Sequence, residues 1–113
     1  MIEAPLDLAA AIADADRDAW EAVIVVDCLT LWLSNIMLAE RDIETESEGL
    51  IVSLARARSL VILVSNEVGL GIVPDNAMAR AFRDAQGRLN QRLAAQAETV
   101  EFVAAGLPMR LKG

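Results

Sequence analysis

The sequence predicts an α/β fold, a mostly parallel sheet with helices on both faces. Three observations carry that expectation. Two short runs, Val23-Ile24-Val25-Val26 and Leu60-Val61-Ile62-Leu63-Val64, are apolar at every position, as strands buried on both faces of a parallel sheet are. Segments with helical spacing of apolar residues separate and follow them. A hydrophobic share of 55% over 113 residues supplies one core and therefore one domain, residues 1–113.

Charge and rare residues narrow the chemistry. A net charge of −7 and a pI near 4.4 argue against nucleic acid, whose binding needs clustered Lys and Arg. No apolar run is long enough to cross a bilayer, and no basic segment followed by an apolar one opens the chain; a soluble cytoplasmic protein is expected. The lone Cys28 excludes an internal disulfide and a cysteine-rich metal site. With no histidine in the sequence, a histidine ligand, general base or covalent intermediate is excluded within these residues.

Taken in order, residues 1–3 read as extended, and Pro5 opens a helix in a favoured early position. Leu8, Ile12 and Ala15 form its apolar side, with Asp14, Asp16, Arg17 and Asp18 toward water. The strand at residues 23–26 ends in Asp27. A carboxylate there either holds Mg²⁺ beside a phosphate site or caps the next helix. Residues 29–40 read as a helix apolar almost all round, through Leu29, Leu31, Trp32, Leu33, Ile36, Met37 and Leu38, and so buried on more than one side. Ser34 and Asn35 are its polar exceptions, suited to satisfying backbone groups. Residues 41–47 read as a charged connection and 48–58 as a helix with Leu50, Ile51 and Leu54 inward.

The strand at residues 60–64 delivers the loop Ser65-Asn66-Glu67-Val68-Gly69-Leu70-Gly71-Ile72-Val73-Pro74 to the edge where open α/β sheets bind ligands. Asn66 and Glu67 stand at the strand terminus. Gly69 and Gly71 are suited to positive φ or close backbone approach. Asp75-Asn76 caps a long helix, residues 76–97, with its stripe at Met78, Phe82, Ala85, Leu89 and Leu93. Arg80 and Arg92 read as a solvated face. Arg83, Asp84 and Arg88 are placed to reach a phosphate or a neighbouring subunit, and Asn90, off the stripe, to cap a neighbouring loop. Residues 99–104 and 109–112 form a closing hairpin that makes an antiparallel edge.

Three segments then point to a family: VVDCLTLWLSN (residues 25–35), SNEVGLGIVPDN (65–76) and ARAFRDAQGRLNQRLAA (79–95). Together they resemble adenosylcobinamide kinase / adenosylcobinamide-phosphate guanylyltransferase, over nearly the whole chain. The resemblance implies a P-loop NTPase-like fold of the RecA-related group, a homotrimer, and two reactions. Adenosylcobinamide is phosphorylated by ATP or GTP, and GMP passes from GTP to that phosphate through a guanylylated histidine. It implies nucleotide binding at Glu3 and Asp27, with Mg²⁺ near Asp27, and an active-site loop at Asn66, Glu67, Gly69 and Gly71.

The family's Gly-rich loop ending in Gly-Lys-Ser, which cradles phosphates, is absent from this sequence, as is the histidine. The chain is therefore expected to represent the fold truncated at its N-terminus, to hold no catalytic residue of the family, and to be inactive by itself. It is also expected to aggregate or swap through exposed sheet edges. The alternative is a non-catalytic oligomerisation or binding module derived from the same fold.

Overall fold

Eight elements follow one another in the computed structural model, which describes residues 1–18 and 23–113. They are α1 (Leu8–Asp18), β1 (Val23–Asp27), α2 (Leu29–Leu38), α3 (Ile43–Arg56), β2 (Leu60–Val64), α4 (Ala77–Gln96), β3 (Val100–Ala104) and β4 (Leu107–Lys112). Strands β1 and β2 pair in parallel, from Val23 opposite Leu60 to Asp27 opposite Val64. The α2–α3 crossover between them is the long connection that parallel pairing demands. The element order and the positions of β1 and β2 are those read from the sequence, while β4 starts at Leu107, two residues earlier than read, because the turn takes only Ala105 and Gly106.

The expected single sheet does not form. Strands β3 and β4 form a separate antiparallel hairpin that makes no ladder with the parallel pair. Ala105 and Gly106 form its two-residue turn, both at positive φ (52° and 74°), as a type I′ hairpin turn requires. The Lys112 ammonium holds the hairpin to α4 by donating to the carbonyls of Ala94 and Ala95, at 3.0 and 2.9 Å, at the negative end of that helix.

Coverage of the parallel pair also departs from expectation. The core joins Leu8 and Ile12 of α1, Leu29, Trp32, Leu33 and Ile36 of α2, Leu50 of α3, and Ala85, Leu89 and Leu93 of α4 to Val26, with Val61 and Leu63 packed against it. These side chains share one face of the sheet, because alternate residues of a strand point to opposite sides. The other face carries Val23, Val25, Leu60, Ile62 and Val64, and it is bare: Val25 is 59% exposed and Leu60 63%. Helices cover one face here, not both.

Helix α2 is likewise buried on one side only, since Leu31 and Leu38 are exposed. Asn35 behaves as its sequence context suggested and donates to the Pro5 carbonyl at 3.2 Å, while Trp32 Nε1 donates to Leu6 O at 2.9 Å. Helix α1 starts at Leu8, three residues after Pro5, because residues 5–7 instead lie against α2 through these two bonds.

Helix α3 begins at Ile43, inside the stretch read as a connection. The Asp42 carboxylate caps it, accepting from the Thr45 amide (3.2 Å) and the Thr45 hydroxyl, and those two donors, the hydroxyl first, hold Asp42 below the ordinary carboxylate pKa. Glu44 and Glu46 in the first turn complement the helix dipole. Asp16 corrects a second expectation. It is buried, and its carboxylate accepts from the amides of Ser59 (2.8 Å) and Arg58 (3.0 and 3.1 Å), fixing the turn between α3 and β2. Met78 and Arg92 reverse too: Met78, in the first turn of α4, is exposed, and Arg92 pairs with Glu44 and Glu48 of α3.

Candidate functional site

The register of β1 and β2 brings their carboxyl ends together, so Asp27 and the loop that starts at Ser65 share one sheet edge. Ligands of open α/β sheets bind at such an edge. What fixes the loop there is a hydrogen-bond clamp from two helices. The Asn66 amide donates to Thr30 Oγ1 of α2 at 3.0 Å, and the Asn66 carbonyl accepts from Asn90 Nδ2 of α4 at 3.1 Å. Both backbone groups of one residue are thereby held from opposite sides.

A second layer supports that clamp. Ser65 Oγ donates to Asn90 Oδ1 at 2.6 Å. Gln86, one turn before Asn90 and fully buried, donates from Nε2 to Ser65 Oγ and to Asn90 Oδ1, each at 3.0 Å. Gln86 Oε1 is buried and has no partner among the described residues. Such an orphan is tolerated only where the rest of a network repays it, and here the repayment is a loop origin fixed in place.

Beyond Asn66 the loop folds on itself. The Glu67 carboxylate accepts from the Gly69 amide, and a Cβ on Gly69 would lie 2.8 Å from Glu67 Oε1. Gly69 is thus a close approach, as the sequence suggested, though not a positive-φ position. Gly71 is neither, since an added Cβ there meets nothing within 4 Å and its φ is ordinary. Arg83 Nη2 donates to the carbonyls of Gly69 (2.8 Å) and Gly71 (3.4 Å), and Arg80 Nη1 to the Pro74 carbonyl (2.8 Å). The Asn76 side chain caps α4 by accepting from the Ala79 amide at 2.9 Å. Leu70, Ile72 and Val73 project outward, Ile72 at 96% exposure.

Between the loop and α4 lies a cleft of about 370 Å³, walled by Glu67 and Gly69 on the loop side and by Arg83, Gly87, Arg88 and Asn90 on the helix. The sequence placed Arg83, Asp84 and Arg88 where they reach a ligand or a neighbour, and all three line this cleft. Asn90 caps the loop as expected. Gln86, Ser65 and Thr30 were missed as clamp residues. Gln86 did carry a signal, a polar residue beside Ala85 and one turn before Asn90 on the face turned to the core.

Asp27 is exposed at the end of β1. The N-cap of α2 is Cys28, with no side-chain cap bond, so Asp27 does not cap the helix and that alternative falls. Among the described residues no three acidic, cysteine or histidine side chains gather as a metal site. A single solvent-facing carboxylate fits Mg²⁺, which keeps several waters and is bound through one or two carboxylates together with substrate phosphates. Glu3 lies exposed in the N-terminal segment and is not brought to this cleft by any hydrogen bond or ion pair among the described residues.

The fold and this edge define an α/β protein with a candidate cleft beside the carboxyl ends of its parallel strands. The model of the family described as cobinamide kinase / cobinamide phosphate guanyltransferase matches residues 1–111, and the chain belongs to that family. It is 44% identical over 117 aligned residues to the bifunctional adenosylcobalamin biosynthesis protein CobP of Pseudomonas aeruginosa, covering 99% of this chain and 65% of that protein. It is 40% identical to the bifunctional adenosylcobalamin biosynthesis protein CobU of Salmonella typhimurium, over 79% of this chain and 58% of the relative. The Escherichia coli protein of the same name is 36% identical, over 80% and 58%. The chain therefore spans about three fifths of the length of these curated relatives.

Proposed function

We propose that this chain supplies the Asp27 and Asn66-Glu67 side of the site at which adenosylcobinamide is phosphorylated by a nucleoside triphosphate, and its phosphate then receives GMP from GTP. The observation that carries this reading is the juxtaposition of Asp27 with the doubly clamped loop at one sheet edge, in a chain that belongs to this family. Asp27 would hold Mg²⁺, directly or through water, and the metal would offset charge on the nucleotide phosphates. Glu67 and the loop amides border the acceptor, and Leu70, Ile72 and Val73 offer an apolar rim to a large ring system. Glu3 contributes to holding the guanine nucleotide, a carboxylate being the acceptor that guanine N1 and N2 donors require.

The chain holds no histidine and no Gly-rich phosphate loop, so neither the guanylylated residue nor the phosphate cradle is its own contribution. The bare sheet face and the exposed Leu31 and Leu38 favour burial against further protein, consistent with a homotrimer as the working assembly. The test places Asp27→Asn and Glu67→Gln at the matching positions of the Pseudomonas aeruginosa relative and follows phosphorylation and GMP transfer separately. Loss of about two orders of magnitude in either step supports the reading. Both steps unchanged in both variants overturn it. The 113-residue chain assayed alone with GTP and Mg²⁺ is expected to show no turnover.

A further inference from the structure

The middle of α4 carries a residue that helix formation does not explain. Gly87 is the eleventh of twenty residues in Ala77–Gln96, where glycine is less favourable than alanine because it adds backbone freedom to the unfolded chain. Its φ is helical, so no left-handed conformation demands it. A Cβ added there would meet no atom within 4 Å, so no neighbouring element demands it either. What the missing side chain does leave is open space on the wall of the cleft.

The charges around that open space are arranged unevenly. Arg83 lies one turn before Gly87 and Arg88 immediately after it, and both line the cleft. Arg83 spends Nη2 on the loop carbonyls and keeps Nη1 and Nε. Arg88 is exposed and has no hydrogen bond or ion pair among the described residues. Of the two carboxylates on the walls, Glu67 is turned onto the Gly69 amide, which leaves Asp84 as the one not engaged. A cleft lined by two guanidinium groups against two carboxylates, in a chain of net charge −7, is a local exception to its overall charge. Guanidinium forks match phosphate oxygens in geometry and charge.

We propose that this cleft is a phosphoryl subsite: a phosphate monoester occupies the space that the missing side chain of Gly87 leaves, contacted by Arg88 and by the remaining donors of Arg83. The inference rests on the function proposed above, in that it assigns the phosphate of the acceptor, not those of the nucleotide, to this cleft. It also explains why Arg83 is fastened to the loop. The same side chain sets the distance between the loop wall and the helix wall.

The test is a titration of the ¹⁵N-labelled chain with inorganic phosphate, followed through the amides of Gly69, Gly87 and Arg88, against sodium chloride of equal ionic strength. Saturable shifts at these amides with phosphate alone are expected. Arg88→Gln is expected to weaken binding about tenfold, the loss of one charge-assisted contact. Gly87→Ala decides most, because it moves stability and binding in opposite directions: melting temperature rises while phosphate affinity falls about tenfold or more. Shifts that do not saturate, or that are the same in both variants while circular dichroism shows them folded, overturn the proposal. Adenosylcobinamide phosphate then separates sources. Binding tighter than inorganic phosphate supports the acceptor assignment, and equal or weaker binding overturns it. Failure here leaves the transfer assays on the longer relative to judge the function independently.

Discussion

Asn90 is the residue through which α4 holds the start of the sheet-edge loop, and replacing it with alanine removes three hydrogen bonds at once. They are those from Ser65 Oγ (2.6 Å), from Gln86 Nε2 (3.0 Å) and to the Asn66 carbonyl (3.1 Å). At a net worth of about 0.5–1.5 kcal/mol each, they sum to roughly 1.5–4.5 kcal/mol. Alanine's better helix propensity returns about 0.5 kcal/mol. Ser65 Oγ keeps its bond from Gln86, so neither group is wholly abandoned, and the middle of the range applies: a loss of about 2–3 kcal/mol. Against a domain stability of about 5–15 kcal/mol this is large and readily measured by urea unfolding. A double-mutant cycle with Ser65→Ala isolates the shared part, expected at about 1 kcal/mol or more because the two side chains touch. Amide exchange across residues 66–69 should accelerate more than the global loss accounts for, since the loop loses one of its two clamps. A loss below about 0.5 kcal/mol, the size of an ordinary surface substitution, with unchanged exchange in the loop, would refute the clamp.

Three further outcomes follow from single observations. Glu40 has φ 57° at the end of α2, where its amide and that of Arg41 donate to Met37 O and Ile36 O in a Schellman cap that favours glycine; Glu40→Gly should raise stability by about 0.5–1 kcal/mol in urea unfolding. Ala105→Asn, which relieves the left-handed turn before Gly106, should slow exchange of the hairpin amides by a few fold while leaving the loop clamp untouched. Asp16 is held below its ordinary value of 3.8 by the Ser59 amide and side chain and then the Arg58 amide. Its folded form therefore favours the carboxylate, and the stability it contributes is complete above about pH 4 and lost as pH falls through the depressed value. Asp16→Asn should thus be less stable at neutral pH and show a shallower loss below pH 4, read from unfolding midpoints against pH.

What the sequence disclosed, and what it hid, divides along physical lines. Strands β1 and β2 were legible to the residue because continuous β-branched runs have few other uses, and α4 because a twenty-residue period is long enough to be unambiguous. Asp16 was misplaced although its position was written in the spacing: Leu8, Ile12 and Asp16 stand four apart on one stripe, and residue type was allowed to overrule period. The start of α3 was hidden by its charges, yet Asp42 before Glu44 and Glu46 is the signature of a capped helix entry. Other features were not local properties at all. Nothing in a strand's own residues says whether a helix or solvent covers its second face, so the bare side of Val23, Val25, Leu60 and Ile62 had to be seen.

The candidate site divides in the same way, and the division bears on how it works. The position of Asn66, Glu67 and Gly69 at the sheet edge was legible because they directly follow a strand that the sequence marks clearly. Of their supports Asn90 was anticipated, standing off the helix stripe, but Thr30 and Gln86 were not, because they act at a distance of 36 and 21 residues in sequence. Those supports come from α2 and α4, the two helices that also supply most of the core. The loop origin is therefore tied to the most deeply buried part of the molecule, while its far part, residues 69–74, is tied to the helix, among the described residues, through Arg83 at Gly69 and Gly71 and Arg80 at Pro74. On the proposed function, a rigid base and a tip held by two long side chains is an arrangement in which the base would set where a ligand's reacting end lies. The tip would then adjust to the remainder of that ligand without moving the base.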